Sequence, residues 1–113
     1  MDPDEVVFTI EVRAGDDGVV VAPCGDLDIA TQPELRAALM EQSASGAVTL
    51  DLAGVPFLDT SGLRLILETA EAAKRDGFRF YVLRGSPSVQ RLFEIAGVES
   101  LVPFRENGDR GGS

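Results

Sequence analysis

Apolar residues in this chain switch between two spacings, and the switching restricts the fold more than any other feature. Phe8, Ile10 and Val12 alternate with Thr9 and Glu11, so Val6 to Val12 has the period of a strand. The turn residues Gly15-Asp16-Asp17-Gly18 lead into a second apolar run, Val19 to Cys24, and the pair reads as an opening β-hairpin. Leu35, Ala38 and Leu39 then fall at helical spacing after Thr31-Gln32-Pro33-Glu34, where Thr31 with Glu34 three positions on has the form of a capping box. Val48, Leu50 and Leu52 return to alternation. Leu63, Ile66, Leu67, Ala70 and Ala73 form a helical stripe that Gly77 ends, while Arg64, Glu68, Glu71 and Arg75 face away. Phe78 to Leu83 reads as a fourth strand, and Ser86-Pro87 opens a third helix carrying Val89, Leu92, Phe93 and Ala96 up to Gly97. Leu101 and Val102 read as a short last strand. The order β-β-α-β-α-β-α-β predicts an α/β fold, a mixed β-sheet covered by helices, in one domain over residues 1–104 with a flexible tail over 105–113.

Composition narrows what such a fold can do. The 113 residues include ten Lys and Arg against nineteen Asp and Glu, a net charge of −9. That charge repels a phosphate backbone and an anionic lipid surface, so neither nucleic acid nor membrane is expected as a partner, whereas a basic protein surface is compatible. Met1-Asp2-Pro3-Asp4-Glu5 lacks the basic and apolar regions of a signal peptide, and no apolar run approaches the roughly 20 residues of a membrane helix. A single cysteine, Cys24, has no internal disulfide partner, which fits a reducing cytoplasm. At the end of an apolar strand it is expected to be a small buried hydrophobe. The sequence has no histidine, which removes the usual general base and the commonest transition-metal ligand. No catalytic residue, metal site or cofactor is expected.

The chemistry concentrates in Asp59-Thr60-Ser61-Gly62, between a strand and an amphipathic helix. Two hydroxyls and a carboxylate there lie at the positive end of a helix dipole, beside N–H groups without intrahelical partners. A phosphate added at such a place is stabilised by those N–H groups and brings about −1.5 to −2 charges to a contact surface. The same residues are what plain helix capping requires, and the residues alone leave both readings open. Asp16-Asp17 between glycines reads as a turn rather than a cation site. Asp51 and Asp59 flank the loop and are candidates to hold Mg²⁺ of a partner's nucleotide, but nothing marks a metal site of the chain's own.

The stretch Leu50 to Leu63, Leu-Asp-Leu-Ala-Gly-Val-Pro-Phe-Leu-Asp-Thr-Ser-Gly-Leu, closely resembles the signature of the STAS domain in its anti-sigma factor antagonist branch. Gly25-Asp26-Leu27-Asp28, Ser86-Pro87-Ser88-Val89 and Arg91-Leu92-Phe93-Glu94-Ile95-Ala96-Gly97 resemble further pieces of that family, so the likeness runs from Val6 to Phe104. The resemblance implies a single STAS-like domain that binds an anti-sigma factor, often a serine kinase with a histidine-kinase-like ATPase fold, and so frees the sigma factor. It implies phosphorylation on Ser61, the hydroxyl residue before the glycine, which releases the partner until a PP2C-type phosphatase resets the switch. The partner-binding set carried over is Asp28, Asp59, Thr60, Ser61, Gly62 and Arg64.

Some positions depart from the family. Asp26 stands where a Glu is usual, Arg64 where a small or apolar residue is frequent, and the closing helix of many relatives is cut to Arg105-Glu106. Thr60 is a second hydroxyl beside the expected acceptor. Two other functions fit less well. One is a scaffold or accessory STAS subunit of a stressosome or lipid transporter. The other is a nucleotide-binding protein or hydrolase built on Ser61, which lacks a P-loop and a histidine.

Overall fold

The computed structural model describes residues 7–106. Five strands and three helices follow in the order β1 (Thr9–Ala14), β2 (Val19–Cys24), α1 (Gln32–Gln42), β3 (Ala47–Asp51), α2 (Thr60–Asp76), β4 (Arg79–Leu83), α3 (Pro87–Ala96) and β5 (Phe104–Arg105). The sheet order is β1-β2-β3-β4-β5. β1 and β2 pair antiparallel as a hairpin, and every later pair is parallel. The sheet is mixed, and the element order is the one expected from the sequence.

Each crossover moves one place along the sheet in the same direction, so crossovers of one hand lay all three helices on one face. The core agrees. Register aligns Val21 with Leu50 and Leu50 with Val82, and these residues share one apolar cluster with Leu35, Leu39, Leu63, Ile66, Val89 and Phe93 from the helices. Along α2 the buried set is wider than one stripe, because Leu65, Thr69 and Ala72 are buried as well as Leu63, Ile66, Ala70 and Ala73. α1 packs beside α2 and covers this second side, and Arg36 of α1 pairs with Glu68 of α2 at 2.7 Å.

The opposite face carries no helix among the described residues. Val20, Thr49, Asp51 and Leu83 lie on it and are nonetheless buried. Long side chains roof them: Arg13 binds Asp51 at 3.2 Å, and Arg105 stacks on the Tyr81 ring at 4.0 Å while reaching Asp17 at 3.4 Å. A cleft of about 250 Å³ remains between Arg13, Val20, Thr49, Leu83 and Arg105. Cys24 shares this face and is exposed, contrary to the expectation of burial. The roof of side chains reaches Val20 of the same strand but not Cys24 at its end.

Other expectations also fail for local reasons. β1 starts at Thr9 rather than Val6, which lies outside the described residues, and Val12 is half-exposed because β1 is an edge strand with one neighbour. The capping box does not form. An N-cap residue holds extended backbone, but Thr31 already has helical angles and its side chain caps nothing. The chain begins to wind earlier, at Asp28, whose carboxylate accepts from Ala30 N–H at 3.0 Å and Thr31 N–H at 3.1 Å. The Thr31 hydroxyl instead donates to the Asp26 carbonyl at 2.8 Å.

Glu99–Leu101 is a 3₁₀ turn, not the last strand. That strand is β5, two residues later, where Phe104 packs edge-on against Phe93 at 5.2 Å. Arg105 therefore belongs to the sheet, one residue past the boundary expected at 104, and the rest of the expected tail from 107 on lies outside the described residues.

Gly18 closes the hairpin with φ +155°, and a Cβ there would sit 2.2 Å from the Ala47 carbonyl oxygen. Gly46 also has positive φ, +92°, but open space around it. Gly46→Ala is expected to cost about 1–2 kcal/mol, the strain of left-handed backbone alone. Gly18→Ala costs more, because β3 must also move, and urea unfolding of the two variants measures the difference.

Candidate functional site

Two loops leave the carboxyl ends of the parallel strands β2 and β3 side by side, the region of an open α/β sheet where ligands and partners usually meet the fold. Backbone bonds join them. Leu27 N–H donates to the Phe57 carbonyl at 2.9 Å and Asp59 N–H donates to the Leu27 carbonyl at 3.2 Å, with Leu27 and Leu58 paired as a parallel bridge. Both leucines are buried. They anchor the loops from below and leave the polar residues between them at the surface.

Asp59 is the N-cap of α2, with the extended backbone a cap requires, φ −103° and ψ −174°. Its Oδ1 accepts from Ser61 N–H at 2.9 Å and Gly62 N–H at 3.2 Å, and the Ser61 hydroxyl donates to the same oxygen at 2.6 Å. These donors favour the ionised form. The Ser61 hydroxyl is the largest influence holding the Asp59 carboxyl below the usual carboxylate range; partial burial opposes it, and the backbone N–H groups of Gly62, Ser61 and Ile29 add to it. Of the two sequence readings of this loop, the structure shows the capping one. Asp59 caps the helix, and Ser61 is not needed for that task.

The other expected residues divide into three kinds. Thr60 and Arg64 are exposed, and Arg64 has no hydrogen bond or ion pair among the described residues. Ser61 and Asp28 are half-buried. Asp28 spends its carboxylate on the turn into α1, so it shapes the loop next to Ser61. Gly62 is buried and offers no contact surface. A Cβ there would lie 2.6 Å from Leu58 Cδ1 and 2.8 Å from Leu27 Cγ, so glycine is required by packing against the two anchors and not for accessibility.

Asp51 lies on the helix-free face and is committed to Arg13 and to Ala53 N–H at 2.9 Å. No grouping of three or more metal-ligating side chains occurs among the described residues, and none of their helices is long and apolar enough to cross a membrane.

Sequence reasoning missed Ile29 and Phe57. Ile29 is 79% exposed and Phe57 53% exposed, and both lie on the joined loops. Phe57 reads in the sequence as one more apolar anchor beside Leu58. Only the bridge register shows that Leu58 points inward and Phe57 does not.

Asp59→Ala is expected to lower stability by about 1–2 kcal/mol, the usual loss of a cap, while Asp59→Asn retains most of it at neutral pH. A carboxyl held low in the folded state stabilises above its unfolded value of about 4, and that contribution fades as pH falls through the folded value. The Asn variant should therefore lose less stability than the wild type on acidification below about pH 4, as read by urea midpoints across pH. Gly62→Ala should cost about 1–3 kcal/mol by overpacking, visible as a lower melting temperature.

The STAS domain family model matches residues 9–110. An anti-sigma-B factor antagonist of Staphylococcus epidermidis is 35% identical over 101 residues, 88% of this chain and 94% of that protein. Among solved structures, an anti-sigma factor antagonist from Mycobacterium paratuberculosis has a TM-score of 0.76 and 29% identity, covering 90% of this chain and 86% of that one. The anti-sigma factor antagonist SpoIIAA in its unphosphorylated form shares the fold, with a TM-score of 0.68 and 21% identity over 89% of this chain and 91% of its own. A joined pair of loops over Leu27 and Leu58, a mixed five-stranded sheet with one helical layer, and a family match across nearly the whole chain lead to one conclusion: the chain belongs to the STAS domain family.

Proposed function

We propose that this protein is an anti-sigma factor antagonist, a binding protein without enzymatic activity of its own, controlled by phosphorylation of Ser61. The unphosphorylated form binds an anti-sigma factor of the serine-kinase type and so frees a sigma factor. The kinase then phosphorylates Ser61 and lets the antagonist go, and a PP2C-type phosphatase restores it. The cycle runs in the cytoplasm. Relatives with this name support the partner class. The observation that carries the site is the Ser61 hydroxyl, half-buried at the start of α2 and held by Asp59 at 2.6 Å, on a helix whose cap is already supplied.

The physical argument concerns charge. A phosphate on Ser61 replaces the hydroxyl proton that Asp59 now accepts and sets about −1.5 to −2 charges beside an ionised carboxylate. Thr60, exposed and without a bond to Asp59 among the described residues, is the less prepared acceptor. Arg64, one turn along the same helix, belongs to the contact surface with the rim of the two loops.

Incubation with the cognate kinase and ATP, followed by mass spectrometry, should place phosphate on Ser61, also in Thr60→Ala. Ser61→Ala should bind the anti-sigma factor whether or not ATP is present, and Ser61→Asp should bind at least about tenfold more weakly, the scale of a charge forced into a contact. Equal affinity of the two variants would contradict the reading.

A further inference from the structure

We propose that Ile29 and Phe57 are the apolar anchors by which the unphosphorylated protein holds its anti-sigma factor, the partner laying an apolar surface across Ser61. The inference rests on the function proposed above and says what kind of contact the phosphate interrupts.

Large apolar side chains stand exposed at seven described positions: Val7, Val12, Ile29, Met40, Phe57, Ile95 and Leu101. Ile29 is the most exposed of them, at 79%. Ile29 and Phe57 alone among the seven lie on the two loops that form the acceptor site, and the backbone joins those loops directly through the Leu27 N–H to Phe57 carbonyl bond. The Asp59 N–H donates to the Leu27 carbonyl, two residues before Ile29, so the residue that holds the Ser61 hydroxyl is tied to the same loop. The two side chains thus stand exposed on the two segments that are joined beside the start of α2.

Both positions are also held in place. Ile29 sits inside the turn that the Asp28 carboxylate closes on Ala30 and Thr31. Phe57 follows Pro56, whose ring fixes φ, and its carbonyl is bonded to Leu27. Apolar groups already ordered in the free protein lose little freedom on binding, which is what favours them as interface anchors. Asp26 lies half-exposed on the same loop, and the chain carries a net charge of −9, so the fitting partner has an apolar seat bordered by basic side chains.

An apolar contact also explains why one modification suffices. A phosphate on a wet polar surface keeps its hydration and is tolerated. The same group under a desolvated apolar seat must be stripped of water, and like charge from Asp59 adds to the penalty.

The test uses the full chain and the purified anti-sigma factor in titration calorimetry. Ile29→Ser and Phe57→Ser should each weaken binding by about tenfold or more, as truncated anchors do. Ile29→Val and Phe57→Tyr should bind within a few-fold of wild type. Melting temperatures should stay near the wild-type value, since neither side chain is part of the core. Wild-type affinity in both serine variants, with Ser61→Asp still unable to bind, overturns the anchors and leaves the phosphorylation switch standing. Equal binding by Ser61→Ala and Ser61→Asp overturns the switch itself, and the anchors with it. A change in the protein's own sedimentation in the serine variants assigns the patch to a second copy of this chain and also overturns the proposal.

Discussion

One carboxylate oxygen organises the working end of this protein. Asp59 Oδ1 accepts two N–H groups of α2 and the Ser61 hydroxyl, and the Asp59 backbone N–H ties the same residue to the loop after β2. The start of the longest helix, the register between two loops and the position of the Ser61 hydroxyl therefore depend on a single residue. The arrangement holds because Gly62 lets α2 settle onto Leu27 and Leu58. A side chain there would press into Leu58 Cδ1 and Leu27 Cγ.

The sheet separates support from contact. Its helical face buries a continuous apolar core, and the strands end in loops whose inward residues belong to that core while their outward residues do not. Leu58 and Phe57 are neighbours in sequence with opposite fates, one 5% and the other 53% exposed. Their difference comes from the bridge between Leu27 and Leu58, a contact between segments about thirty residues apart.

Local patterns made most of the architecture legible. Period-two and helical spacings located the four longer strands and all three helices, and the glycines at 77 and 97 ended α2 and α3 with left-handed backbone, as their positions implied. Features set by distant residues were not legible. The capping box at Thr31 was a correct motif in the wrong place, because Asp28 starts the turn before Thr31 can adopt a cap conformation. Cys24 looked buried because an apolar run does not announce that one side of its sheet lacks a covering layer. β5 has only two residues, too few to show a period, and its location depends on the pairing of Val82 with Phe104. At the site, Ser61 and Asp59 stood out from the motif, but their bond did not, and Gly62 was assigned to the surface when packing claims it.

Capping by Asp59 has a consequence for how such a protein can change over generations. The helix start is secured by a residue two positions ahead of Ser61, so the hydroxyl is spared from architecture. Ser61 can be exchanged for another small residue with little effect on folding, because the backbone N–H groups of α2 keep their acceptor. Selection on folding then acts on Asp59 and leaves the side chain two positions later open to other demands.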